Sequence, residues 1–140
     1  MTDLADVPLD DFSYVHEMPV RYRDLDDLGH VNNVVHATYF EEGRIHYLNE
    51  VLDRGVPNLD TVIVHLEVDF VRPVEYDDDL RVGVRVPELG RSSLPFEYRV
   101  EADGELASTG ETVQVMRGED GSSTPMRDEV RNAIEAFEGW

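Results

Sequence analysis

The chain has 140 residues, no cysteine, a hydrophobic content of 41% and a formal net charge of −19. That length suits one domain, and the composition supports a core and excludes wholesale disorder. The missing cysteines remove disulfides, thiolate metal sites and a cysteine nucleophile. All 12 basic residues are arginine. A field this negative argues against nucleic acid or an anionic membrane as partner. The 31 acidic residues are spread along the chain, as expected of a halophilic protein whose salty cytoplasm screens like charges; a docking face for a basic protein is the alternative. No apolar run approaches the ~18 residues of a membrane span, and the acidic start lacks the basic region of a signal peptide. The expected location is cytoplasmic.

Residues 1–15 show no periodicity and read as a surface arm. Residues 16–23 alternate apolar and polar through Met18, Val20 and Tyr22, as in a half-buried strand, with Pro19 marking an edge position or the strand's start. Next comes Asp24-Leu-Asp26-Asp27-Leu-Gly29-His30-Val31-Asn32-Asn33. Three carboxylates crowd a turn that Gly29 permits, and the asparagines are helix N-cap types. Residues 34–52 follow as a long helix with an apolar stripe of Val34, Ala37, Phe40, Ile45, Leu48, Val51 and Leu52. His36 and His46 fall away from it. Glu41 and Arg44 project into the stripe and stand three apart, a spacing that allows an ion pair; a catalytic Glu41, as second carboxylate, is the sharper alternative. Gly43 costs about 1 kcal/mol inside a helix relative to alanine, so another backbone is expected to pack there. Asp53, Gly55 and Pro57 end the helix.

Strands are expected over 61–74, 80–87, 94–101 and 105–117, with an Ala102-Asp-Gly104 hairpin turn. A terminal helix is expected over about 125–137, with Thr124 as N-cap and Pro125 at its first position. Consecutive strands joined by short turns make an antiparallel sheet. The chain therefore reads as one α+β domain spanning 1–140: a long helix packed on a curled antiparallel five-stranded sheet, with a short C-terminal helix.

This order, with the 24–33 segment between first strand and helix, resembles the hot-dog-fold acyl-CoA thioesterases, closest to the 4-hydroxybenzoyl-CoA thioesterase-like family. The resemblance covers about residues 16–117, and Tyr39-Phe-Glu-Glu-Gly-Arg44, Arg72-Pro73 and Arg91-Ser-Ser93 add to it. It implies hydrolysis of an acyl-CoA to free acid and CoA without a cofactor, in a homodimer or homotetramer whose active site lies between protomers. It also implies Asp24 as the catalytic carboxylate, general base or nucleophile. By position, Val31 or a neighbour supplies the amide that polarises the thioester carbonyl, and Arg91, Ser92 and Ser93 meet the nucleotide end of CoA.

Each role has a plainer alternative. Asp24 is also a turn former. Asp26 shapes the loop and Asp27 is solvated. Gly29 and His30 hold the turn, unless His30 binds near the thioester. Asn32 and Asn33 are caps that position the carbonyl-binding amides. His30, His36 and His46 lack metal-ligand spacing, and no Gly-x-Ser-x-Gly elbow is present, so neither a metal centre nor a serine hydrolase is expected. An acyl-carrier-protein thioester is a rival substrate, since the 29–33 segment also resembles that group of hot-dog thioesterases. Other rivals are an enoyl-thioester hydratase, whose Asp–His spacing of five is missing here, and a non-catalytic acyl-CoA-binding module.

Overall fold

The computed structural model describes residues 3–52 and 59–140. It contains strands β1 (Tyr14–Pro19), β2 (Thr61–Phe70), β3 (Asp79–Arg85), β4 (Ser93–Ala102) and β5 (Glu105–Met116), and helices α1 (Val35–Leu52) and α2 (Asp128–Glu138). All five strands form one antiparallel sheet in the order β1-β3-β4-β5-β2. The β4–β5 turn places Asp103 and Gly104 at φ of 50° and 81°. Positive φ at both central residues gives a twist that matches the flanking strands. The sheet does not close. Among the described residues, β2 pairs with β5 alone and so forms an edge.

The core lies between α1 and one face of the sheet. Along β4, Leu94, Phe96, Tyr98, Val100 and Ala102 are all buried, with half-buried residues between them. Phe40 of α1 stacks on Tyr98 at 4.5 Å between ring centroids, and Tyr47 meets Phe96 edge-on at 5.3 Å. Gly43 allows this approach. A Cβ there would stand 2.8 Å from Val84 Cγ2 and 2.9 Å from Val82 Cγ1, so the expected close packing is with β3.

The buried side of α1 differs from the expected stripe. It consists of His36, Tyr39, Phe40, Gly43, Arg44, Tyr47 and Leu52, while Val34 and Ile45 are exposed. Once Gly43 faces the sheet, Tyr39 and Phe40 on one side of it and Tyr47 on the other follow at helical spacing. Arg44 is buried beneath the helix and donates to Tyr98 Oη at 3.2 Å. Glu41 is exposed and 4.0 Å from the Arg44 guanidinium, so of the expected intruding pair only the arginine enters the core.

Other boundaries also move. The first strand ends at Pro19, and Tyr22–Asp24 forms a 3-10 turn. Residues before β1 are a packed strap, with Val7 and Phe12 buried and Arg99 donating to the Ala5 and Val7 carbonyls. The C-terminal helix begins at Asp128, with Arg127 as N-cap, in place of Thr124 and Pro125. Met126 N–H bonds the Arg91 carbonyl, which holds the preceding segment against the loop before β4. The expected helix stop at Asp53, Gly55 and Pro57 lies outside the described residues. Among those described, no helix is long and apolar enough to cross a membrane.

Candidate active site

The loop between β1 and α1 is closed by its own backbone. Asp26 N–H bonds the His30 carbonyl at 2.7 Å, and Leu25 bridges Val31. Gly29 sits at φ 83°, a left-handed conformation that side chains resist. The Asp26 carboxylate accepts from the Leu28 and His30 amides at 2.9 and 3.3 Å, both through Oδ1. Oδ2 takes no hydrogen bond among the described residues.

Asp24 occupies a different environment. It is 7% exposed, and its Oδ2 accepts from Tyr39 Oη and from the Arg21 amide, both at 2.9 Å. Its own carbonyl takes the Asn32 N–H at 2.8 Å. Burial and the Asp24 carboxylate together push the Tyr39 hydroxyl far above its ordinary pKa, so it stays a donor. Asp24 thus ties the 3-10 turn, the loop and α1 together from below.

The helix start leaves one amide open. Val31 N–H bonds the Val74 carbonyl at 2.8 Å, Val34 N–H bonds the Asn32 side chain at 3.0 Å, and the Val35 and His36 amides bond the Asn32 and Asn33 carbonyls. The Val31 N–H is thus engaged by the fold, and of the expected donors, Val31 or a neighbour, Asn33 is the one left open. Asn33 N–H has no partner among the described residues, and Asn32 is the cap that shapes its surroundings.

Asp26, His30, Val31 and Asn33 form one wall of a cleft of about 240 Å³; Phe70, Val71, Arg72 and Pro73 form the other. A carboxylate, an unpaired amide at a helix N-terminus and a wall of three apolar residues with Arg72 thus share one small space. That combination serves acyl transfer, because the amide and helix dipole stabilise a developing oxyanion while the carboxylate activates an attacking oxygen. Neither Asp24 nor Glu41 lines this cleft.

Two neighbours were hidden from sequence reasoning. His36 is buried beside Phe70, with Nδ1 2.7 Å from Ser108 Oγ, and desolvation lowers its pKa to about 4. Arg72, on the cleft wall, forms an ion pair with Glu105. Arg91, Ser92 and Ser93 are not near Asp26 within one chain. Ser93 pairs with Val115, which pairs with Val62, at the opposite end of β2 from Phe70. That end holds a larger cavity of about 500 Å³, walled in part by Met116, Arg117 and Val130.

Residues 20–134 match the model of the thioesterase-like superfamily. An uncharacterized Bacillus subtilis protein, YsmA, is 33% identical over 127 residues, covering 88% of this chain and 86% of its own. Among solved structures, a Thermus thermophilus thioesterase complexed with coenzyme A and zinc is 40% identical with a TM-score of 0.83, covering 94% of this chain and 98% of its own. A 1,4-dihydroxy-2-naphthoyl-CoA thioesterase from Synechocystis shares the fold at 19% identity and a TM-score of 0.78, covering 86% and 94%.

Proposed function

Because the chain belongs to the thioesterase-like superfamily, with the hot-dog fold and thioester-hydrolase character of that family, we propose that it hydrolyses an acyl-CoA using Asp26 as the reacting carboxylate. The thioester carbonyl oxygen accepts from Asn33 N–H at the start of α1. Asp26 takes the proton of a water that attacks the carbonyl carbon and passes it to the departing CoA sulfur, or attacks that carbon itself, expelling CoA thiolate that takes a solvent proton and leaving an anhydride that water then hydrolyses to the free acid. Asp24 fixes the loop from beneath through Tyr39 and Arg21. The observation that carries this reading is the pairing, in one cleft, of Asp26 with the open Asn33 amide. CoA as the carrier is supported by its presence in the similar Thermus thermophilus thioesterase.

The second half of the site comes from a second copy. β2 is an unpaired edge with Ile63, Val64, Leu66 and Phe70 exposed, and such an edge is a template for strand pairing. Antiparallel pairing of β2 with its copy sets the partner subunit's Thr61 end beside Phe70. The segment equivalent to Arg91–Ser93 then approaches the cleft, having lain roughly 30 Å away along one strand. The expected CoA contacts are in this way reconciled with a site between protomers.

The test is thiol release from a panel of acyl-CoAs by wild type, Asp26→Asn and Asp24→Asn, with thermal melts alongside. Asp26→Asn should lower kcat by about 10²- to 10⁴-fold, the range for a lost general base, with its melt little changed. Asp24→Asn should lower the melting point as well as the rate. Loss of turnover in Asp24→Asn with an unchanged melt, and near-normal turnover in Asp26→Asn, would return the catalytic role to Asp24. Single turnover in ¹⁸O water tests the nucleophilic route: label entering the Asp26 carboxylate marks an acyl-enzyme anhydride opened at the aspartyl carbon.

A further inference from the structure

On the sheet face away from α1, His65 and Glu67 of β2 stand beside Glu111 of β5. His65 Nε2 lies 2.9 Å from Glu67 Oε1, and one ligand atom from each of the three residues falls within 4.8 Å of the other two. We propose that these three side chains form a binding site for a borderline divalent transition-metal ion of the zinc class. This site is separate from the Asp26 cleft and independent of the hydrolytic reading.

The backbone sets the arrangement. A bulge between Ile63 and His65 shifts the register of β2 on β5. With strict alternation from Thr61, His65 would face α1; the extra residue turns His65 and Glu67 to the outer face instead. Glu67 then pairs directly with Glu111, and His65 with Val113. Two ligands at i and i+2 on one strand, with a third directly across, put three donors on one pleated surface. One imidazole nitrogen with two carboxylates is a donor set that zinc accepts, leaving a fourth position for water. A tetrahedral ion with bonds of about 2.1 Å holds its ligands roughly 3.4 Å apart, so small side-chain rotations complete the set.

Charge also favours a cation here. Glu97, Glu111 and Glu67 lie in one row across β4, β5 and β2. Arg85 holds Glu97 at 2.8 Å, whereas Glu67 has the His65 ring as its neighbour. Glu111 stands between Glu67 and Glu97, so the three carboxylates repel one another. A bound ion would relieve that repulsion and staple the edge strand to its neighbour.

The experiment is calorimetric titration of the full, chelator-stripped chain with zinc chloride in molar salt, repeated on His65→Ala, Glu67→Gln and Glu111→Gln, with thermal melts. The expected result is one zinc per chain, a raised melting point, and binding at least tenfold weaker in each variant. Excess magnesium should not compete, and cobalt(II) should give the intense visible bands of a low-coordinate site. His65 and Glu67 are half exposed, so their variants keep the fold even where Glu111→Gln does not. Equal binding by His65→Ala, displacement of zinc by magnesium, or no binding at all would overturn the site.

Discussion

Asp24 and Asp26 are two positions apart and carry the same side chain, yet one is sealed under Tyr39 and the other lines the cleft. The segment was legible as a carboxylate-rich turn feeding a helix. Which carboxylate lines the cleft was not, because that depends on a 3-10 turn that replaces the end of the expected strand. His36 shows the same limit, since an imidazole at the start of a helix gives no sign that Phe70 and Ser108 will enclose it. That enclosure has a pH signature. Burial holds the folded His36 near pKa 4, below its ordinary 6.5, so the unfolded chain binds a proton first. The stabilisation from a neutral His36 is complete above about pH 6.5 and is lost as pH falls toward 4, by about 3 kcal/mol at most. Carboxylate protonation in this acidic chain acts in the opposite sense, so the measurement is the difference between wild type and His36→Gln in denaturant melts from pH 7.5 to 4. A difference that stays flat across that window would show that His36 is not held neutral.

At the scale of elements, the succession of strands along the chain and the β4–β5 hairpin were readable from alternation and turn residues, and Gly43 marked a close approach to the sheet; the order within the sheet, which sets β2 beside β5 and not beside β3, was not. The face of α1 was misread because its apolar and polar residues are interspersed round the helix and not segregated to opposite sides. Val34 and Ile45 are exposed while His36 and Arg44 are buried, so hydrophobicity alone does not choose the side. The β2 edge resisted for a related reason: Val62 to Phe70 alternates like an ordinary half-buried strand, and its bulge has no residue signature. Apolar side chains on an open edge predict self-association. Leu66 lies near the middle of β2, where a two-fold axis would pass, and is 49% exposed. Leu66→Arg places two like charges close together at that axis. Light scattering should report a dimer or tetramer for wild type and a monomer for Leu66→Arg, with an unchanged circular dichroism spectrum and a large loss of turnover. A monomeric variant that keeps full turnover would show that one chain holds the whole site.

For the whole molecule, charge sets the working conditions. The formal net charge of −19 arises from 31 acidic residues against 12 arginines, and the fold brings several carboxylates together. Asp77, Asp78 and Asp79 are consecutive at the start of β3, and the Glu97–Glu111–Glu67 row crosses three strands. Ion pairs such as Arg21–Glu42 at 2.8 Å and Arg99–Glu101 at 2.7 Å offset part of this locally, but the excess repels over longer range. The Debye length falls from about 30 Å at 0.01 M salt to about 3 Å at 1 M. In dilute buffer, repulsion therefore reaches across the domain and between paired subunits; in molar salt it barely passes from one side chain to the next. Stability and assembly should both rise with salt, with the proposed dimer dissociating before the chain unfolds because two charged bodies repel as wholes. The check is circular dichroism and light scattering on the same samples from 0.01 to 3 M sodium chloride. Mass should halve at a higher salt concentration than the one at which secondary structure is lost. A spectrum and mass unchanged over that range would mean that packing outweighs repulsion unaided, and that the acidic surface answers to something other than salt.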